Sequence, residues 1–276
     1  MVCLGRAPYS HGMAFFAPHP ASSPSIELDV RDYVYVFTVP AGASPVGPWH
    51  VVKVDLDATS GKSHILVRFV SGNRDDPGNS QHGEYARIED AQTLSPCFML
   101  VGGFGAGAGY MPAQTWTSEV LARPNAHFPI AFAAGIEFSS INPLTYQRIV
   151  ALGPTFRFNN VYGYARYYRP SVPGQPYAVA PTGSFNLGMH ATPLLDFGGF
   201  FNFGGEIGGD RTAWELPTSS GRYGPDAGGL IRYALTRHFG VSAMVERAWY
   251  RQAPAGEVSR RQTVISAGLF VRPSLP

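Results

Sequence analysis

The residues of this chain that could do chemistry fall into a few groups. Charged residues recur at alternating positions: Lys53, Arg68, Glu119, Glu137, Arg157, Arg232 and Glu246, with Asp55 beside Lys53. Facing one another in a confined interior, opposite charges pair, because an unpaired buried charge costs several kcal/mol or more. Such a set can serve as a structural ion-pair network or as the wall of a conduction path. Ser184 and His190 lie on one face of a strand and make the best hydrolase pair among the 8 histidines. Hydrolysis would also need an orienting group and an oxyanion hole, and the chain has no GxSxG elbow. The glycine clusters GGFGAGAG (102–109) and GGFFNFGGEIGG (198–209) lack the GK[ST] of a phosphate loop. They suit strand bending and close packing better. Asp75, Asp76 and Asp210 sit in loop-like stretches as solvated charge or weak cation contacts. Cys3 and Cys97 are far apart and fit no zinc spacing. A disulfide between them and two separate thiols both stay open. No catalytic residue, metal ligand or cofactor is expected.

The segments that would carry these residues have a period of two. Phe128, Ile130, Phe132, Ala134, Ile136 and Phe138 form an apolar row, and Ala131, Ala133, Gly135, Glu137 and Ser139 fill the gaps. Successive side chains of a strand point to opposite faces, so this segment has one apolar face and one small or polar face. The same alternation sets Val52, Val54 and Leu56 against Lys53, Asp55 and Asp57, and Ile65, Val67 and Phe69 against His64, Leu66 and Arg68. It sets Trp116 and Val120 against Thr115, Thr117, Glu119 and Arg123, and Phe185, Leu187 and Met189 against Ser184, Asn186 and His190. Later segments repeat it, with Leu195, Phe197, Phe201, Phe203 and Ile207 against Asp196, Asn202 and Glu206. The pattern predicts strands from about residue 25 to 272. The segment at 83–93 is the weakest, and 161–169 (VYGYARYYR) is aromatic enough for an interfacial belt.

Repeated without helical segments, this pattern is the mark of a transmembrane β-barrel with lipid outside and a polar lumen inside. Composition agrees. Charged residues are 14% of the 276, against about 25% in a typical soluble domain. The 32 Gly and 24 Pro fit many strands joined by turns. A net charge of +2 leaves no basic footprint for nucleic acid. No apolar run reaches the roughly 20 residues a membrane helix needs.

The links sort by length. SGK, LSP, RPNAH, NN, ATP and RH alternate with PAGASPVGP, RDDPGNSQH, GAGYMPA, SVPGQPYAVAP, GGDRTAWELPTSSGRYGP and RQAPAGEVSR, with SINPL between. Outer-membrane barrels have short periplasmic turns and longer external loops. The sorting therefore predicts an even-stranded, antiparallel up-and-down barrel of 12–14 strands, 14 preferred, with both ends in the periplasm. It divides the chain into an irregular segment, 1–24, and a barrel domain, 25–276. Residues 1–24 show no basic start followed by an apolar stretch, so a signal peptide is not visible there. The 208–225 link is expected to be the largest external loop.

The order of segments resembles the YaiO-family outer-membrane β-barrel proteins. The resemblance runs from PAQTWTSEVL through FPIAFAAGIEFSS and TYQRIVALGPTFRF to VYGYARYYRP, and returns in FGVSAMVERAWYRQ and RRQTVISAGLFVRP. It implies a bacterial outer-membrane location, no assigned chemistry, and a likeness to exopolysaccharide-export barrels. Such barrels end on an aromatic residue read by the assembly machinery. Here Pro273 stands at that place, and Phe270 is the nearest aromatic.

These readings converge on a non-enzymatic outer-membrane barrel, either a surface-exposed structural protein or a narrow channel, with exopolysaccharide export as an associated role. The partners implied are outer-membrane lipid, the barrel assembly machinery and polysaccharide, with no nucleic acid. An outer-membrane hydrolase acting on lipid or sugar, and a soluble all-β binding protein, stand as alternatives.

Overall fold

In the computed structural model the described residues are 24–38, 47–76, 79–125, 127–142, 145–171, 182–204, 222–252 and 258–273. They form strands β1 (Ser25–Thr38), β2 (Trp49–Ser60), β3 (Ser63–Asp76), β4 (Asn79–Ser95), β5 (Phe98–Gly109), β6 (Gln114–Ala122), β7 (Ile130–Asn142) and β8 (Thr145–Phe158). Then follow β9 (Val161–Ser171), β10 (Thr182–Thr192), β11 (Leu195–Phe203), β12 (Arg222–Tyr223), β13 (Asp226–Ala234), β14 (Phe239–Gln252) and β15 (Val258–Val271). Each long strand pairs antiparallel with its neighbours in sequence, and β15 pairs with both β14 and β1. The sheet thus closes. The short β12 only adds two rungs to the end of β14, so the wall is a 14-stranded antiparallel barrel. Closure removes the exposed edges that an open sheet would have to cover.

The two faces divide as the period predicts. Outward side chains are apolar and exposed: Trp116 at 56%, Phe132 at 58%, Ile265 at 54%. Inward ones include Arg68 and Arg232 at 1%. A soluble sandwich buries the apolar face and exposes the charges, whereas lipid demands the reverse. No helix among the described residues is long and apolar enough to cross a membrane.

Three features of the wall differ from expectation. RDDPGNSQH reads as a loop, yet β3 and β4 keep pairing through Asp75–Ser80 and Asp76–Asn79. Likewise β7 and β8 pair as far as Asn142–Thr145. The ladders thus run past the apolar band, where water can solvate both faces and the alternation that marks a strand is no longer needed. The weak segment becomes β4, the longest strand at 17 residues. Its pattern is faint because Glu84, Asp90 and Gln92 share the outward row with Ala86 and Ile88. On β9, Tyr162, Tyr164 and Tyr168 lie inward at 3–4% exposure and only Tyr167 faces out. The tyrosines therefore fill the lumen instead of forming a belt. Residues 1–23, the 205–221 part of the longest link, Cys3, Glu206, Ile207 and Asp210 lie outside the described residues.

Candidate functional site

The lumen is built by the inward half of every strand. Beginning at β2, Asp55 accepts two hydrogen bonds from the Arg68 guanidinium of β3, at 2.6 and 2.8 Å. Lys53 lies 3.9 Å from the same carboxylate and over the Tyr33 ring. On β1, Arg31 forms a two-bond fork with Asp29, both at 2.9 Å. Arg232 of β13 reaches Asp29 at 3.4 Å and also pairs with Glu27, which accepts in addition from Arg272. Arg232 and Arg272 both stack on Phe270, at 4.1 and 4.8 Å. These contacts tie β1, β13 and β15 together at the closing seam.

A second network lies on β4 to β9. Arg87 donates to Glu89 at 2.6 Å, to Glu137 at 3.3 Å and to the Thr117 hydroxyl at 3.1 Å. Ser139 donates to the other oxygen of Glu137. Arg166 pairs with Glu119 at 3.0 Å and donates to the Thr155 hydroxyl. Two-bond guanidinium–carboxylate forks are the strong form of this interaction, and removing one partner strands a buried charge at about 3–5 kcal/mol. Carboxylate–imidazole pairs complete the set: Asp57 with His64 at 2.7 Å, and Asp196 with His190 at 2.6 Å.

Between the charges the interior is packed. Tyr33, Tyr162, Phe200, Leu230, Met244 and Val264 form one buried apolar cluster, and Ala91, Met99, Val101, Leu121 and Ala133 another. Inward glycines make the room. A Cβ on Gly228 would lie 2.1 Å from the Phe200 ring, and one on Gly240 would lie 2.1 Å from the Phe270 ring. Each aromatic pairs in register with its glycine across the strands.

The structure brings most of the candidate residues together. Lys53 and Arg68 share Asp55, Glu137 joins Arg87, Glu119 joins Arg166, and Arg232 joins the seam. Glu246 is buried on β14 at 3% exposure. Arg157 is different. It faces inward opposite Tyr162 near the short Asn159–Asn160 turn, half-buried, with no ion pair among the described residues. Sequence reasoning missed Asp29, Arg31, Arg87, Glu89 and Arg166. Arg87 and Glu89 were hidden by the faint pattern of β4, and Arg166 by the run of tyrosines around it. Ser184 and His190 share the inner face of β10 but lie six residues, roughly 20 Å, apart along the strand. Ser184 accepts from Asn186 instead. Among the described residues no cluster of His, Cys, Asp and Glu is arranged to hold a metal ion.

No family model matches the chain, and no curated protein matches it. Among solved structures it is similar to the Pseudomonas putida toluene transporter TodX, with 10% identity and a TM-score of 0.53 over 95% of this chain and 90% of that one. It is also similar to the Acinetobacter baumannii outer membrane protein Omp33, with 10% identity and a TM-score of 0.50 over 90% of this chain and 99% of that one. At such identity the likeness is one of fold. An apolar exterior, a charged interior and complete closure make this a membrane-spanning barrel of the bacterial outer-membrane type, and the bacterial outer membrane is its location.

Proposed function

We propose that the protein is a non-enzymatic outer-membrane barrel whose lumen is largely closed by its own side chains and passes at most small ions or solutes. The observation that carries this reading is the pairing of lumen charges within a packed interior. Arg68, Arg232, Glu119 and Glu137 are each at 0–1% exposure. Barrels of about eight strands are filled by side chains and those of 16–18 leave an aqueous channel. Fourteen strands leave room that the inward tyrosines, phenylalanines and arginines take up here.

The resemblance to YaiO-family barrels extends the reading to a role associated with exopolysaccharide export, in which polysaccharide is a partner that does not pass through this lumen, and adds the barrel assembly machinery as a partner. Its support is the strand pattern alone. Of the expected network, Lys53, Arg68, Glu119, Glu137, Arg232 and Glu246 are in our reading a structural brace that also narrows the lumen, and Arg157 is an inward charge beside that brace. The hydrolase alternative loses support from the separation of Ser184 and His190 along β10.

Liposome swelling tests the reading. Vesicles containing refolded protein should admit monosaccharides slowly or not at all. Rapid swelling with oligosaccharides would show an open lumen and overturn it.

A further inference from the structure

On the outer face, four exposed strand arginines among the described residues gather at one end of the barrel. Arg148 on β8, Arg169 on β9, Arg247 on β14 and Arg261 on β15 all point outward and are exposed. Each lies in the half of its strand away from the short turns such as Asn159–Asn160, Arg148 toward the SINPL link and the other three toward longer links. They form two cross-strand diagonals. Arg169 pairs in register with Val150, two residues from Arg148, and Arg247 pairs with Thr263, two residues from Arg261. Diagonal neighbours of this kind stand about 7–8 Å apart, within reach of long side chains, and like charges so placed repel. Among the described residues no carboxylate relieves that repulsion. The described outward residues of β7 to β10 include no Asp or Glu, and around the second pair the acid is Asp32, opposite Ala267 and well removed along β1 from Thr38, the partner of Arg261. The side-chain contact found is a weak one, from Arg247 to the Thr263 hydroxyl at 3.2 Å.

Below each pair the surface is apolar or aromatic. Tyr167 and Leu152 lie beneath Arg148 and Arg169, and Val245 and Ile265 beneath Arg247 and Arg261, with Trp249 opposite Arg261. An arginine at mid-membrane costs about 2–4 kcal/mol, and near the interface close to nothing. These positions therefore mark the polar boundary of the band, where lipid headgroups lie. A guanidinium meets a phosphate through two parallel hydrogen bonds.

From this geometry we propose that Arg148 with Arg169, and Arg247 with Arg261, each form a site for the phosphorylated headgroup of an outer-leaflet lipid whose chains lie on the apolar residues beneath. The sites rest on the barrel's lipid-facing assignment but not on the state of its lumen. The anion supplies the countercharge that the described outer face does not offer, and the apolar surface distinguishes a lipid from a free anion.

The test uses refolded protein in a non-ionic detergent, titrated with diphosphoryl lipid A, its dephosphorylated form and inorganic phosphate, with bound lipid read by native mass spectrometry. Lipid A should bind. Arg148→Gln with Arg169→Gln should weaken it about tenfold or more, as should the Arg247→Gln and Arg261→Gln pair. The dephosphorylated lipid should bind both variants and wild type equally weakly, and inorganic phosphate should not compete. Unchanged lipid A affinity in variants that keep the folded gel mobility would overturn the sites while leaving the barrel intact. Equal competition by inorganic phosphate would show a free-anion site and overturn the lipid assignment. Loss of the folded, heat-modifiable band in wild type would instead count against the barrel reading itself.

Discussion

The guanidinium of Arg166 on β9 bonds to the main chain of β8 beside Pro154. It donates to the carbonyls of Pro154 at 2.9 Å and Gly153 at 3.0 Å, and to Ala165 of its own strand at 3.4 Å. The β8–β9 ladder has rungs at Leu152–Tyr167 and Thr155–Tyr164 but none at Gly153 and Pro154. Proline has no N–H to give a neighbour, and Gly153 adopts a φ of 156° with the Ala165 carbonyl where a Cβ would stand. In a membrane wall, unsatisfied carbonyls cost several kcal/mol each. Arg166 supplies the missing donors while its other nitrogen holds Glu119.

That double duty makes Arg166 hard to replace. Arg166→Lys keeps the charge but loses the planar fork, and should destabilise the barrel by about 1–3 kcal/mol. Arg166→Met, which removes the guanidinium paired with buried Glu119, should cost about 3–5 kcal/mol. Pro154→Ala restores an N–H and should reduce the cost of Arg166→Lys by more than about 0.5 kcal/mol in a double-mutant cycle. Reversible urea unfolding in lipid vesicles measures all three. Strict additivity would mean that the arginine does not mend the ladder.

Adjacent residues of β7 test the two faces. Ile136 lies in the outward row, and Glu137 is fully buried against Arg87 and Ser139. Ile136→Arg should cost about 2–4 kcal/mol. Glu137→Gln keeps an acceptor, and Arg87 keeps Glu89, so the loss should be about 1–2 kcal/mol. The reverse order in vesicle unfolding would invert the facing.

Gly102 and Gly103 offer a second pair of neighbours. A Cβ on Gly102 meets nothing within 4 Å, whereas one on Gly103 meets the Thr117 hydroxyl at 2.6 Å and Glu89 Cγ at 2.9 Å. Gly102→Ala should stabilise by about 0.4–1 kcal/mol through the unfolded chain. Gly103→Ala should destabilise by about 1–3 kcal/mol through overpacking. Equal effects would contradict the packing described for β5.

Much of this wall was legible in the sequence because lipid imposes a strict rule: every second residue must be apolar. The rule exposed β2, β3, β7 and β10, and placed Lys53, Arg68, Glu119 and Glu137 on the inner face. It failed where lipid no longer acts. The β3–β4 tip, RDDPGNSQ, has no apolar residue to alternate, so its sequence looks like a loop. Pairing partners were also beyond reach, since period two gives a face but not a register. Arg87 meets Glu137 across β5 and β6, and Arg232 meets Glu27 across the closing seam. The Gly153–Pro154 step inside a strand was the readable sign that a donor such as Arg166 must stand nearby.

Topology has its own check. A protease site placed at Ser219–Ser220, in the long link, should be cut on intact cells. One at Asn159–Asn160, the two-residue turn between β8 and β9, should be protected until the outer membrane is permeabilised. The opposite result would invert the orientation.

The central claim, that paired charges close the lumen, is tested most directly by single-molecule conductance in a planar bilayer. Wild-type protein should give steps well below those of a water-filled barrel of about 16–18 strands in the same salt. Replacing both members of the Asp55–Arg68 pair with alanine, which removes the fork and two bulky charged side chains and leaves Lys53 as the remaining charge there, should enlarge the steps. Stable wild-type steps as large as those of the wider barrel, unchanged in the double variant, would contradict the account.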